Sequence, residues 1–311
     1  MSFQTHRHLL MTVDPVHIGA GGTRLGRVDN SIVREPGTRL PKIPGTSLSG
    51  VIRHYAALRY GKRRCAGQGQ PRDGREGHCG QSTCPICYTF GAVTGAQPRA
   101  GVVSIGDARL LLFPVYSMVG PVWVTSPAAL ADFDIEVQWD AGDTAKWGTS
   151  LTEQRHLNLG WLMVEKDGDL EIELRAEVPE QVRQHLVLVS NKLFSQVVNS
   201  NLEVRTSVAI NPKTGAAEDK ALFTYEAIPR AAFLWMDVVV DDYRAGFPVV
   251  DKQYSSETEN DNEGKSLGTT WSEPADVVVA GLEWAEHLGV GGMGTRGFGR
   301  VRKIARWEVE Q

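Results

Sequence analysis

All four cysteines of this 311-residue chain fall between Cys65 and Cys87. They sit in or beside a stretch, residues 61–83, that is rich in Gly, Arg and Gln and has neither helical nor strand periodicity. A structureless segment of that length needs an internal tie inside a folded domain, and the cysteines can supply it. Cys84-Pro85-Ile86-Cys87 has the C-x-x-C spacing that closes two thiolates on one tetrahedral metal ion, and Cys65, Cys79 and His78 bring the candidate ligands to five. Zinc is the natural ion, in a structural role, because four protein ligands leave no open position for chemistry. The spacing Cys65-x13-Cys79-x4-Cys84-x2-Cys87 is irregular, and free buried thiols or a redox pair are the alternative readings.

Disulfides are not expected, because the chain reads as cytoplasmic. Its N-terminus lacks the basic, apolar and small-residue order of a signal peptide, and no run of about 18 apolar residues could cross a membrane. Hydrophobic residues at 41% and charged residues at 23% place it among folded globular proteins rather than disordered ones. The net charge of −4 hides an uneven distribution. Ile52–Arg75 holds seven Lys or Arg against one acid, and Gly294–Arg306 five against none, so both stretches suit phosphates. Asp237–Glu263 carries eight acids against two basic residues and should face away from any polyanion.

Local patterns give a mixed α+β order. His8–Val13 reads as an opening strand, broken by Gly19-Ala20-Gly21-Gly22. After the Pro41–Gly45 turn, Thr46 or Ser47 is the expected N-cap of a helix through Ile52, Tyr55 and Leu58, whose start offers free amides. Val102–Val124 reads as strands and 180–199 as helix. Leu202–Phe223 reads as a hairpin turning at Asn211–Gly215. Phe233–Val240 is a strand, Val277–Leu288 a helix and Gly299–Val309 a closing strand.

Two further features bear on chemistry. Gly289–Arg300 has six glycines in twelve residues and two arginines, which allows backbone to approach a phosphate closely; a tight structural turn is the plainer reading. Asp29, flanked by Arg24, Arg27 and Arg34, places a carboxylate among basic residues. It could hold a divalent cation or position the 2′-hydroxyl of RNA, or simply cap a turn. His17 could orient or protonate reacting groups, or be a structural strand-end histidine. No Gly-x-Ser-x-Gly, His-Glu-x-x-His or EF-hand pattern occurs, which counts against the common hydrolase classes.

Together, His17-Ile18-Gly19, Gly26–Glu35, Pro41–Arg53, Cys84–Gly91, Asp107–Pro127 and the glycine-rich C-terminus resemble the RAMP superfamily of CRISPR proteins. The likeness is strongest to the backbone nuclease subunits of type III-B (Cmr) effector complexes, with the type III-A (Csm) backbone a near relative. The resemblance implies a single RAMP domain over 1–311 with an RRM-like (ferredoxin-like) palm. It further implies a Cys-rich insertion at 61–100, an extended β-hairpin thumb at 202–223 and an acidic loop at 241–274.

It also implies a filament of copies along a CRISPR guide RNA, other effector subunits, and a complementary target RNA cut at regular intervals. RNA would be gripped by Arg24, Thr46, Ser47, Ser49, Arg53, Arg205, Gly291, Gly292, Arg296 and Arg300. Asp29, with His17, would serve a cleavage dependent on Mg2+ or Mn2+, in which the 2′-hydroxyl attacks the adjacent phosphate and leaves a cyclic phosphate. A non-catalytic guide-binding subunit is the alternative. The chain departs from the family at Ser49, where Lys is common, and at Tyr225 and Ala227, where an acid and a Tyr are expected nearby. Glu226 is the acid that remains there.

Overall fold

Strand-forming and helix-forming runs alternate along the chain, and the computed structural model, which describes residues 3–21, 28–67, 77–94, 97–139, 142–254 and 265–310, realises them in order. The first half contains β1 (Gln4–Thr12), α1 (Gly45–Arg59), a short 3-10 turn (Arg63–Cys65) and α2 (Pro85–Phe90), followed by β2 (Ala92–Thr94), β3 (Gln97–Arg99), β4 (Val103–Ile105), β5 (Arg109–Ser117) and β6 (Gly120–Thr125). Then come α3 (Pro127–Ala131), β7 (Ala145–Trp147), β8 (His156–Leu159), β9 (Leu162–Glu165), α4 (Glu180–Gln184), β10 (Leu186–Val189) and α5 (Asn191–Ser200). The last third holds β11 (Glu203–Ile210), β12 (Ala217–Ala227), β13 (Phe233–Val240), β14 (Gln253–Tyr254), β15 (Lys265–Ser266), α6 (Pro274–Leu288) and β16 (Val301–Glu308).

The large mixed sheet runs β16-β1-β13-β5-β6-β10-β7, with β4 also paired to β13. Alternation along β13 sorts its side chains. Leu234, Met236, Val238 and Val240 join the core under α1, α5 and α6, while Phe233 and Trp235 join a second core with Phe133, Leu174, Val178 and Val182. α1 and α6 lie so close that a Cβ on Gly281 would come within 2.3 Å of the Ile52 carbonyl oxygen. β1 carries a charge into this interior: Arg7 is buried, and its guanidinium donates to both oxygens of Asp237, its register partner on β13, at 2.8 and 3.0 Å. It also pairs with Asp134 and stacks 4.3 Å over Trp235. A buried cation is tolerable because it is fully paired.

The strands, the C-terminal helix and the hairpin fall where the sequence pattern puts them, with β12 running on to Ala227. Two expectations are corrected. The segment 180–199 is not one helix: β10 interrupts it, because Leu186-Val187-Leu188-Val189 is buried on both faces between β6 and β7, and Ser190 then caps α5 through Leu193 N–H at 3.3 Å. α1 begins at Gly45 with Pro44 in the capping position, so Thr46 and Ser47 lie within its first turn rather than capping it. None of the described helices is long and apolar enough to cross a membrane.

Candidate RNA interface and metal centre

The segment carrying Asp29 lies along the root of the β11–β12 hairpin. Asn30 N–H donates to the Thr224 carbonyl at 3.0 Å, and Glu226 N–H to the Asn30 carbonyl at 3.2 Å. Asp29 is exposed, and its Oδ2 accepts from both Thr224 N–H (2.7 Å) and Thr224 Oγ1 (2.9 Å). These bonds, the backbone one foremost, hold its carboxyl below the usual aspartate range. Asp29 is therefore a fixed anion at neutral pH, better suited to bind a cation or accept a hydrogen bond than to take up a proton. The carboxylate is exposed yet tied to β12, 195 residues away, rather than capping a turn of its own segment.

His17 is buried behind that segment. Its Nδ1 lies 2.7 Å from the Glu226 carbonyl oxygen, which can only accept, so Nδ1 carries a proton. The glycine-rich loop closes over the same residue: Gly292 N–H donates to the His17 carbonyl at 3.0 Å. A Cβ on Gly291, whose φ is +85°, would fall 2.5 Å from that carbonyl oxygen. Glycine is thus required here by a close backbone approach within the chain, while the loop's outer side remains exposed.

Glu226 does not face the surface as a reactive group. It is buried, taking Arg34 in a bidentate pair with both bonds at 2.8 Å, and its Oε1 also accepts from Ile32 N–H at 3.1 Å. Arg34 continues to Asn199 on α5 at 2.7 Å. This pair clamps the segment that presents Asp29. Tyr225 is buried with its hydroxyl 3.1 Å from Ser207 Oγ.

Basic and aromatic side chains cover the hairpin root. Arg205 stacks 4.6 Å over Phe298 and bonds Glu203 at 2.6 Å, and Arg296 lies 5.5 Å from the Phe223 ring centre. Arg300 forms a two-point pair with Asp14 at 2.5 and 3.0 Å, which holds the Asp14 carboxyl down. Arg24 lies outside the described residues.

The start of α1 differs from expectation. Gly45 N–H already donates to Asp107 Oδ1 at 2.7 Å, and Ser47 and Leu48 N–H to the Pro44 carbonyl at 2.9 and 3.0 Å. The favourable position for an anion at a helix N-terminus is filled by Asp107, itself paired with Lys42. What remains outward is side chain: Thr46 exposed, Ser47 and Ser49 half-buried. Arg53 is corrected more fully. It shares its side of the helix with Ala56 and Ala57, which pack into the cysteine lobe. Its Nε donates to the Cys65 carbonyl at 2.8 Å, so it points to the lobe rather than to an RNA surface.

In that lobe the sulfurs of Cys65, Cys79, Cys84 and Cys87 all lie within 4.8 Å of one another, with separations of 3.6 Å (Cys79–Cys87), 3.9 Å (Cys84–Cys65) and 3.6 Å (Cys87–Cys65). A tetrahedral ion with metal–sulfur bonds of about 2.3 Å spaces its ligands about 3.8 Å apart, whereas a disulfide needs about 2.05 Å. The donor set therefore fits zinc. Cys65 ends the 3-10 turn, and Cys84 and Cys87 flank the start of α2, where Pro85 takes the first helical position. His78 drops out of the five candidates: its Nε2 is 3.0 Å from the Gly67 carbonyl, and its Nδ1 accepts from Val93 N–H at 3.3 Å.

Among the residues that matter here, Thr224, Asp107 and the Arg34–Glu226 clamp have no local signature, since each partner is distant in sequence. Comparison with known proteins places this architecture. Residues 9–302 match the RAMP superfamily. The chain is 30% identical over 255 residues to the CRISPR system Cmr endoribonuclease Cmr4 of Pyrococcus furiosus, spanning 74% of this chain and 80% of that protein. Its fold is shared with oligomeric Cmr4 from Pyrococcus furiosus (TM-score 0.58, 21% identity, all of both chains). A chain of the type III-B Cmr-beta complex bound to cognate target RNA is also similar (TM-score 0.60, 14% identity, 96% of this chain and 97% of that one). The chain belongs to the RAMP superfamily and, within it, to the group of the Cmr4 subunit.

Proposed function

We propose that this chain is a repeated backbone subunit of a type III CRISPR effector complex, which grips guide RNA along a filament of its own copies and cuts complementary target RNA at regular intervals. The observation that carries the reading is Asp29. It is an exposed, ionised carboxylate held on the root of a long hairpin, on a segment clamped from behind by Arg34 and Glu226. In this reading the large sheet with α1 and α6 is the RRM-like palm of a single RAMP domain spanning 1–311. β11–β12 is the thumb, and 61–100 and 241–274 are insertions. The cysteine lobe holds a structural zinc, and the complex works in the cytoplasm.

For cleavage, the 2′-hydroxyl of one nucleotide attacks its own 3′-phosphate, leaving a cyclic phosphate and a free 5′-hydroxyl. Asp29 is placed to orient that hydroxyl. His17, anchored through Nδ1 to the Glu226 carbonyl, helps hold the hairpin root beside the Asp29 segment. A divalent ion, Mg2+ or Mn2+, held by Asp29 would neutralise charge on the phosphate. Arg205 and Arg296 lie on the same hairpin root to meet the rest of that charge, while Thr46, Ser47, Ser49 and the outer side of Gly291 and Gly292 contact the guide backbone.

A second reading, a guide-binding subunit that does not cut, is favoured by one observation: Ser49 offers no cation, and the neighbouring Glu226 is spent on Arg34. The test is target-RNA cleavage by the assembled, guide-loaded complex with Mg2+, wild type against Asp29→Ala. Evenly spaced cuts lost with target binding retained support the nuclease; no cutting by either protein leaves the scaffold.

A further inference from the structure

Among the described residues Arg53 is a half-buried cation without an anion. Its Nε donates to the Cys65 carbonyl at 2.8 Å and its Nη1 reaches the Phe90 carbonyl at 3.5 Å. Its Nη2 is shielded from water and has no hydrogen-bond partner. Among the described residues no carboxylate pairs with it, although charges this deeply placed are ordinarily paired. Of the neighbouring cations, Lys62 reaches Gln81 and Arg99 the Gly80 carbonyl, both at 3.3 Å, and Arg59 pairs with Glu283 at 2.6 Å. The negative charge that Arg53 lacks is what the cluster acquires on binding metal: four thiolates around one divalent ion leave a net dianion in a lobe walled by Ile86, Trp271 and Leu267.

We propose that Arg53 is the counter-charge of this metal–tetrathiolate, with Nη2 as the N–H left for a thiolate sulfur, so that α1 and the metal hold each other in place; the proposal rests on the zinc reading above. Groups that hydrogen-bond to metal ligands from behind fix the ligand's orientation and charge, and their loss typically costs about tenfold to a hundredfold in metal affinity. Arg53 is thus a positioning residue: it acts on the ion through the thiolates.

The consequence reaches beyond the lobe. Ser49 lies one helical turn before Arg53 on α1, and Thr46 one turn before that, so the three share a stripe of the helix. A metal that fixes Arg53 fixes the stripe that offers Thr46 and Ser49 outward.

The experiment uses the full chain as wild type, Arg53→Met, Arg53→Lys and, as a control at the lobe surface, Lys62→Ala. Metal content is measured first. Each protein is then loaded with Co2+ to read the thiolate-to-cobalt charge-transfer band, and zinc-loaded protein is challenged with a chromogenic chelator and with N-ethylmaleimide. The expected result is one zinc per wild-type chain and at least tenfold faster metal loss and alkylation in Arg53→Met, with a shifted cobalt band. Arg53→Lys should recover part of the difference and Lys62→Ala should match wild type. Should Arg53→Met not fold, Arg53→Gln, which keeps a donor for the Cys65 carbonyl but no charge, is read the same way. An uncharged variant that folds and matches wild type in all three readouts overturns the role of Arg53 alone; a wild type that binds neither zinc nor cobalt overturns the zinc reading and this proposal together.

Discussion

The cysteine lobe and the hairpin root are the two chemically specialised regions of this molecule, and they are built on opposite principles. In the lobe the reactive atoms are turned inward: four sulfurs face one point, and the Arg53 guanidinium reaches in with its Nη2 shielded from water. At the hairpin root the supporting groups are buried, namely His17, Tyr225 and Glu226, while Asp29, Arg296 and the glycine loop stay exposed. The lobe consumes its polar groups to make structure; the root consumes only the inner row and presents the outer one. Changes in the lobe should therefore read out as stability, and changes in the outer row of the root as activity.

The sharpest way to break that contrast is Asp29→Ala. Cleavage by the assembled complex should fall about 10²- to 10⁴-fold, while the melting temperature of the subunit falls by only about 2–4 °C, the cost of about 1 kcal/mol for the bonds that Asp29 accepts from Thr224. A fall several times larger would make Asp29 a structural residue like those of the lobe. Next, if the lobe holds the zinc proposed above, Cys84→Ser or a chelator should cost about 4 kcal/mol or more in denaturant unfolding, because metal binding energy is folding energy. Amide exchange should rise first across residues 77–94.

Glu226→Gln tests the inner row. It leaves Arg34 buried without its anion and should cost about 3 kcal/mol, a lobe-sized effect at the root, together with weaker cutting as the Asp29 segment loosens. Acid probes the sheet that carries both regions. Burial, then Arg306, holds His8 down to about 3 from 6.5, so the folded protein refuses a proton that the unfolded chain accepts. The stability concerned is complete above pH 6.5 and is lost as the pH falls from there toward 3. It should decline by about 2 kcal/mol by pH 5, a slope that His8→Leu flattens in urea titrations at several pH values. Asp29, whose pKa is lowered from 3.8 chiefly by the Thr224 backbone bond, adds its own loss only at the acid end of that interval, as the pH falls through that ordinary value. Smallest of all, Arg296→Ala should weaken guide RNA binding a few-fold and reduce the salt slope by about one, measured by filter binding across KCl concentrations.

What could be read from the sequence was local. The C-x-x-C pair, the Asn211–Gly215 turn, the alternation of β13 and the exposed acid among arginines need only a few neighbouring residues to be recognised. What could not be read depends on distant partners. Leu186–Val189 fits a buried helix turn as well as a strand until β6 and β7 flank it. Arg53 looks like a phosphate ligand until the lobe folds against its side of α1. The free amides expected at the start of α1 are cancelled by Asp107, 62 residues away from Gly45. Glu226 passes for a catalytic acid until Arg34, 192 residues earlier, closes on it.

The position of β1 governs how the chain emerges from the ribosome. Its two neighbours are β13 and β16, and the buried Arg7 has its main anion at Asp237. β1 is made long before either neighbour: it waits for β13, more than 200 residues later, and its outer edge stays open until β16 follows. Closure of the central sheet is therefore a late step, because pairings this distant in sequence form slowly and leave strand edges open while they wait.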